Sequence, residues 1–355
     1  MTKVGSANTL KEVSKAKHRI LERYFPIWAT ILGSYHHLFY VDCFAGEGVY
    51  SHNEPGSPII TFRIANKLAN TRNIQITLVY VEKSRHRAKR LGINLTSEGN
   101  PAQGVQYHVI AENSKEFTKK LLQVILPSLP AFFFIDPYGH PISIPIIKQI
   151  LLRPRNEVLL NLMWFSLNRD LNNPKVKEAI NKMFGHSEWQ KQLFMKMHGK
   201  EREEKFLQYF CSQIGAQYYL EFKVRFSPED KQGDKTKYYL IHFSNHQKAV
   251  LLMKQIMWNL GDEEGTFDYS ASHQGVLFSR TPLVQELVAY LRKTYIESGQ
   301  QITFMQLQEE TYQLPFIEKH YREAIKQMEA AGEVGVDRIE SKKTGIKGKD
   351  IIIFG

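Results

Sequence analysis

Cysteine and long apolar runs are both scarce in this sequence of 355 residues. The two cysteines, Cys43 and Cys211, are too few for a disulfide framework or for a zinc site built from cysteines alone. No apolar run approaches the ~20 residues needed to span a bilayer. Residues 1–17 are polar and basic, without the apolar stretch of a signal peptide. We therefore expect a cytoplasmic protein that does not contact a membrane.

Several repeat and catalytic signatures are also missing. The sequence has no internal repeat, no phosphate-binding P-loop and no Ser-His-Asp or Cys-His arrangement. Its histidines lack the spacing of metal ligands. These absences argue against a repeat protein and a P-loop NTPase, and they predict that the protein holds no metal.

The charge of the sequence is shifted toward the basic side. Lysine and arginine number 47 against 36 acidic residues, which gives a net charge of +11 and an isoelectric point near 9.3. Such a surplus favours a polyanionic partner such as nucleic acid. The alternative is a mildly basic enzyme with scattered surface lysines.

Apolar segments of strand length alternate with helical segments through the first half of the chain. Five continuous apolar strands separated by helices are typical of a parallel sheet covered on both faces. A mainly helical segment follows, and two β-rich segments then predict a hairpin. The predicted strands are residues 37–44, 76–82, 105–110, 131–135, 157–163, 218–226 and 238–244. We therefore predict an α/β, Rossmann-like, seven-stranded fold of the class I methyltransferase type with a helical insertion.

Proline and serine positions predict details of two helices. Residues 10–32 have helical apolar spacing, and we expect Pro26 to kink or divide this helix. A second helix over 58–69 is expected to have Ser57 at its N-cap and Pro58 at its first position. Whether the first helix contacts substrate or only packs stays open.

Residues 281–355 differ in character from the rest. Three helical segments and two strand-like segments predict a winged helix-turn-helix domain, in which Lys319, Arg322, Lys342, Lys343 and Lys347 are expected to contact nucleic acid. This segment holds ten basic against eleven acidic residues, so a domain for protein contacts is the alternative. The predicted domains are a helical segment, a methyltransferase-like domain with its insertion, and the winged helix, at residues 1–35, 36–270 (insertion 168–216) and 280–355.

A glycine-containing motif follows the first predicted strand. Gly46 and Gly48 lack the Cβ atoms that would keep a nucleoside cofactor away from the backbone. The pattern Asp-x-Phe-x-Gly-x-Gly resembles motif I of S-adenosylmethionine (SAM) methyltransferases. The alternative is a plain glycine turn between a strand and a helix. On the first interpretation, the residues that bind SAM are Asp42, Phe44, Ala45, Gly46 and Gly48.

Two further residues after strands are candidates for the same pocket. Glu82 ends the second predicted strand, where a carboxylate can accept both ribose hydroxyls of the cofactor. The alternative is a surface glutamate at the start of a basic helix. Asn113 follows the third strand, where an amide can bond the adenine, but an N-cap role for Asn113 or Ser114 fits equally well.

The fourth predicted strand ends in Asp136, Pro137 and Tyr138. A carboxylate there lies at the edge where α/β folds bind ligands, Pro137 stiffens the turn, and Tyr138 offers a face for stacking a base. The run is similar to the Asp-Pro-Pro-Tyr motif of amino-methylating nucleic acid methyltransferases, although it lacks the second proline. We predict that these residues are catalytic and seat an extruded base; the alternative is a simple turn. Arg169, beyond the fifth strand, is predicted to contact phosphate, with an Asp136 contact or a solvated loop as alternatives.

Several ordered motifs resemble the three-Cys-motif partner protein (TcmP) family over about residues 10–260. The resemblance implies a methyltransferase-like fold and a partner protein with a three-cysteine motif, of the radical-SAM type. That partner would bind the iron–sulfur cluster, which agrees with the presence of only two cysteines in this sequence. The motifs are Asp42–Gly48, Gly56–Pro58, Tyr80–Lys83, Phe133–Gly139 and Met253–Trp258.

Together these features predict a SAM-dependent methyltransferase that acts on nucleic acid, on DNA in preference to RNA and on a base amino group. We expect it to work in phage defence or DNA modification. One alternative is a non-catalytic adaptor of the same fold that binds nucleic acid and the partner protein. Another is a methyltransferase that acts on a small molecule or a protein.

Overall fold

The computed structural model describes residues 12–137, 139, 143–226, 231–232, 235–261, 268–269, 284–296, 299–341 and 345–355. The chain divides into two compact units. The first holds the described residues up to Ala249 together with Tyr269, and the second holds the others from Val250 onward. The predicted domain bounds stay predictions.

The first unit is built on a mixed sheet. Its strands are β1 (Leu38–Asp42), β2 (Ile76–Val81), β3 (Val105–Ile110), β4 (Ala131–Ile135), β5 (Asn156–Leu162), β6 (Tyr218–Arg225) and β7 (Thr236–Ser244). The short β8 (Asp268–Tyr269), of which only Tyr269 belongs to this unit, follows β6 in the sheet order. The first seven lie in the order β3-β2-β1-β4-β5-β7-β6. The first five are parallel, and β7 is antiparallel to both neighbours. This order confirms the predicted seven-stranded α/β fold of the class I methyltransferases.

The apolar character of the strands is explained by their positions in the sheet. Every residue of β2, β4 and β5 is buried. Since successive side chains of a strand point to opposite faces, both faces of these interior strands are covered. β3, at the edge, buries only Val105. Continuous apolar sequence therefore marks the interior strands.

Helices flank the strands in sequence. They are α1 (Glu12–Gly33), α2 (Ser57–Arg72), α3 (Arg85–Ser97), α4 (Ser114–Val124), α5 (Ile144–Leu151), α6 (Trp164–Asp170), α7 (Lys177–Phe184), α8 (Gly199–Ile214) and α9 (Gln247–Leu260). α9 begins in the first unit and continues in the second. The predicted insertion contains α7, α8 and short 3-10 turns.

The first helix is continuous across its proline. α1 contains Pro26 in its interior and ends only at Gly33, so Pro26 does not divide the helix, and the kink that was the other expectation stays a prediction. Proline removes one backbone hydrogen bond. Because Phe25 and Trp28 on either side are buried, their packing holds the two halves of the helix together.

The second unit contains a winged helix. Its elements are α10 (Val284–Tyr295), β9 (Gln301–Thr303), α11 (Phe304–Glu310), α12 (Glu318–Ala330), β10 (Val334–Asp337) and β11 (Ile351–Phe354). The strands form an antiparallel sheet in the order β10-β11-β9, and Leu291, Ile325 and Phe354 lie in its core. β9 was not predicted, because three residues are too few to show alternation. In the described part of the chain, no helix combines the length and apolar character that crossing a membrane requires.

Candidate cofactor and active site

The carboxyl group of Asp42 lies buried at the end of β1. Its Oδ2 accepts a hydrogen bond from Ser57 Oγ at 2.6 Å, and its Oδ1 accepts one from the Phe44 backbone N–H at 3.1 Å. Burial raises the pKa of Asp42 to about 7, although these two bonds oppose the rise. The carboxyl group therefore changes protonation near neutral pH while it ties the loop after β1 to α2.

Ser57 acts differently from the prediction. Gly56, not Ser57, is the N-cap of α2, and Ser57 is the first helical residue. The serine hydroxyl makes no cap bond, because it donates to Asp42 instead. Pro58 is the second helical residue, one position later than predicted, and still lies in the first turn.

The two glycines of the motif have left-handed backbone conformations. Gly46 has φ +63° and Gly48 has φ +81°. A Cβ on Gly48 would lie 2.7 Å from Leu91 Cδ1 of α3, whereas nothing lies within 4 Å of the corresponding position at Gly46. Space for a ligand therefore exists above Gly46, and Gly48 is needed for packing. Ala45, which lies between β1 and these two glycines in the sequence, is buried and donates its N–H to Val81 O at 3.0 Å.

A cleft of about 650 Å³ opens beside this loop. Phe44 from the β1 loop, Glu82 after β2 and Asn113 before α4 line it, together with Met183 of α7. The structure thus brings three of the predicted cofactor residues to one cavity. The described residues that line it do not include Asp42, Ala45, Gly46, Gly48 or Asp136, and they add basic groups at Lys83, Arg87, Lys115 and Lys182.

Glu82 and Asn113 are both held in place by their neighbours. The buried Glu82 carboxylate accepts the Ser84 N–H at 2.8 Å and pairs with Arg87 at 3.0 Å. Asn113 is the N-cap of α4, since its side chain accepts the Lys115 N–H at 3.0 Å. Of the interpretations left open for Asn113, the capping role is therefore present, and the residue also faces the cleft.

Asp136 follows β4 and forms a second polar cluster. Asn161 Nδ2, from β5, donates to Asp136 Oδ1 at 2.6 Å, and Lys17 of α1 forms an ion pair with Oδ2. Pro137 is buried, while Tyr138 lies outside the described residues. The Asp136 carboxylate also reaches Asp42 electrostatically, where it helps to raise that pKa. The two carboxyl groups therefore belong to one edge of the sheet.

The N-terminal helix contributes residues that the sequence prediction missed. His18, next to Lys17, is buried, and its ring centroid lies 5.8 Å from that of Tyr50. Burial, followed by the charge of Lys17, lowers the pKa of His18 to about 3, so the imidazole is neutral at physiological pH. A signal for Lys17 was present: it precedes Ile20 and Tyr24 of the apolar stripe by three and seven residues, the spacing of one helix face.

None of the described residues that were predicted to contact nucleic acid lines this cleft. Arg169 is exposed and pairs with Asp170 at 3.2 Å. In the second unit, Lys319 Nζ lies 5.7 Å from the ring centroid of Trp258, and Arg322 pairs with Glu318. Lys347 is exposed, and Lys342 and Lys343 lie outside the described residues.

The family comparison concerns the second unit. Residues 262–338 match the model of the GMT-like wHTH domain. No curated protein matches the chain significantly.

The solved structures to which this chain is similar include methyltransferases. Trm1 from Pyrococcus horikoshii, in complex with S-adenosyl-L-methionine, is 10% identical over 96% of this chain and 94% of its own, with a TM-score of 0.36. Magnesium protoporphyrin IX methyltransferase (ChlM) from Synechocystis PCC 6803, with bound SAH, is 10% identical over 67% of this chain and 89% of its own, with a TM-score of 0.34. LPL1258 from Legionella pneumophila is 12% identical over 70% of this chain and 93% of its own, with a TM-score of 0.36. From its own strand order and the matched segment, the chain has a class I SAM methyltransferase-like fold followed by a GMT-like winged helix.

Proposed function

We propose that this protein is a SAM-dependent methyltransferase that acts on nucleic acid. The observation that carries the proposal is the cleft at the carboxyl edge of the sheet, in which the buried Glu82 carboxylate stands at the end of β2 beside the glycine loop. Rossmann-like folds bind nucleoside cofactors at this edge, with an acid after the second strand on the ribose.

The residues of the cleft fit SAM. Glu82 offers carboxylate oxygens to the ribose hydroxyls. Gly46 does not line the cleft, but nothing lies within 4 Å of a Cβ built on it, so the backbone of its loop is open to approach. Phe44 and Asn113 line the same cavity as Glu82, and the amide of Asn113 would bond the adenine. When bound, SAM supplies a methyl group already activated on a sulfonium.

The polar cluster around Asp136 supports a role in holding the acceptor. A carboxylate fixed by Asn161 can accept a hydrogen bond from an exocyclic amine and so orient its lone pair. Pro137 and Tyr138 would complete the seat for the base. Catalysis would then rest mainly on positioning, because bringing two reactants together in the right geometry removes a large entropic part of the barrier.

Charge and the winged helix support a nucleic acid target. A net charge of +11 attracts a polyanion, and winged helices place a helix and a basic wing on DNA. We therefore assign phosphate contacts to Arg169, Lys319, Arg322, Lys342, Lys343 and Lys347, with DNA preferred over RNA.

The TcmP motifs support a partner with a three-cysteine motif, of the radical-SAM type, and a setting in phage defence or DNA modification. Both cysteines of this chain, Cys43 and Cys211, are free and buried. The iron–sulfur cluster of such a pair would therefore be held by the partner.

Transfer of a labelled methyl group from SAM to pools of DNA and RNA tests this function. Asp136→Ala should abolish transfer and leave the affinity for SAM within a few-fold of wild type. Asp337→Ala, which removes an exposed carboxylate of β10, serves as the matched control. Full turnover by Asp136→Ala would overturn the role of this residue.

A second candidate function is a non-catalytic adaptor. It is favoured by the ion pair of Lys17 with Asp136, since this pair and Asn161 together engage both carboxylate oxygens. An adaptor would bind SAM and nucleic acid and co-purify with the partner, yet transfer no methyl group with any nucleic acid pool.

A further inference from the structure

The segment Met253–Trp258 takes no part in the proposed reaction. It lies in α9, where Lys254 and Trp258 are four residues apart and so share one face of the helix. Both are buried, with exposed fractions of 2% for Lys254 and 8% for Trp258. A lysine is almost never buried to this extent unless it is paired.

Trp258 packs against α12 within the second unit. Its ring centroid lies 4.7 Å from that of His320, and Lys319 Nζ lies 5.7 Å from it. His320 Nδ1 accepts the backbone N–H of Ile317 at 3.1 Å. Because this nitrogen is an acceptor, the proton of the neutral ring is on Nε2, which is then a donor. Two nitrogen donors of α12, from Lys319 and His320, thus lie beside the indole.

The charge of Lys254 has no counterpart in the described part of the chain. No described carboxylate makes an ion pair or hydrogen bond with its amine, and burial lowers the pKa of Lys254 to about 7. Burial and the charges of Lys319 and Lys254 also lower the pKa of His320, to about 4. A buried cation is costly unless it is paired. An anion that binds to the Lys254 amine would explain why a lysine occupies this buried position.

We propose that Lys254, Lys319 and the Nε2–H of His320 form a binding site for a phosphate group, with Trp258 as its apolar wall. Lys319 is exposed and stands at the surface, whereas Lys254 is buried. Ammonium groups bind phosphate through charge-assisted hydrogen bonds. Phosphate offers acceptor oxygens in several directions, which suits three donors better than the two oxygens of a carboxylate.

The phosphate belongs to nucleic acid, an assignment that rests on the proposed target of the protein. The site itself is separate from the residues proposed for methyl transfer, because all four of its residues belong to the second unit and none of them lines the cleft.

Thermal unfolding of the full-length chain at pH 7 tests the site. The probes are inorganic phosphate, sodium chloride and sodium acetate at matched ionic strength, and a ~20-nucleotide DNA. Phosphate and DNA should raise the melting temperature of wild type with a saturable concentration dependence, since a ligand of the native state stabilises it. Chloride and acetate should not.

Three variants make the test specific. Lys254→Met keeps the apolar stem of the side chain, so it should fold and lose at least tenfold in phosphate affinity; Lys319→Met, at the exposed position, should also weaken binding. Lys293→Met removes the same charge from an exposed position of α10 and should respond like wild type. An unchanged response of Lys254→Met, or an equal shift with acetate, would overturn the site. A shift with phosphate but none with DNA would overturn the assignment to nucleic acid.

Calorimetric titration of SAM separates this site from the proposed function. Lys254→Met should bind SAM as wild type does. If no variant bound SAM, the proposed methyltransferase would fail while the phosphate result stood.

Discussion

Three carboxylates end or follow neighbouring strands of one sheet, and their surroundings differ. Asp42 is buried with a serine hydroxyl and a backbone N–H, Glu82 lines a cleft beside an arginine, and Asp136 pairs with Lys17 and an amide. Carboxyl groups in different environments take different roles. We assign the fixing of the loop to Asp42, the cofactor to Glu82 and the acceptor to Asp136.

Asp42→Asn tests the environment of the buried carboxyl group. Because the folded-state pKa of Asp42, about 7, lies above its ordinary value of 3.8, its contribution to stability is fully present below pH ~4 and is lost as the pH rises through ~7. The amide variant does not titrate. Relative to wild type, it should gain stability between pH 5 and pH 8, by an amount on the order of 1–4 kcal/mol.

Chemical denaturation at several pH values measures this difference. Asp337→Asn, at an exposed position of β10, provides the control. Stability curves of Asp42→Asn and wild type that run parallel across this range would show that Asp42 is not buried as described.

At the scale of elements, the strands were the most predictable part and the contacts between distant segments the least. β4 is an uninterrupted apolar run because both of its faces are covered, so sequence alone locates it. Lys17 and Asp136 are in contact although 119 positions separate them in the sequence, and no local sequence pattern predicts such a contact. Ser57 was predicted to be a helix cap from its position before a helical segment. Its hydroxyl instead bonds to Asp42, and this contact forms only in the tertiary fold.

The loop between β1 and α2 permits a matched comparison of its two glycines. Alanine at either Gly46 or Gly48 is strained by a positive φ, which costs about 1 kcal/mol or more. Gly48→Ala also brings its Cβ within 2.7 Å of Leu91. We expect it to lower the free energy of unfolding by about 1–3 kcal/mol more than Gly46→Ala, as overpacking does.

Urea denaturation of the two alanine variants measures this difference. Leu91 is buried, so it has little room to yield. Equal losses of stability would mean that the contact between the loop and α3 is looser than the structure has it.

At the scale of the whole molecule, charge and architecture are distributed unevenly. The winged-helix segment 281–355 is nearly neutral, so the basic excess lies in the preceding residues. The sequence predicted both folds, since each has its own apolar pattern. It could not separate an enzyme from an adaptor, because that depends on how Asp136, Asn161 and Lys17 meet in three dimensions.

The central claim is that the cleft beside β1 and β2 binds SAM, and calorimetric titration of the full-length chain with SAM and its demethylated product tests it most directly. Wild type should bind with micromolar affinity. Glu82→Gln should weaken binding at least tenfold, because it removes the charged acceptor for the ribose hydroxyls, and Gly46→Arg should fill the open space and abolish binding.

Glu98→Gln is the matched control, since it removes a carboxylate that pairs with Arg63 away from the cleft. It should bind SAM like wild type. No binding to wild type, or equal affinities for wild type and Glu82→Gln, would contradict the assignment of the cleft.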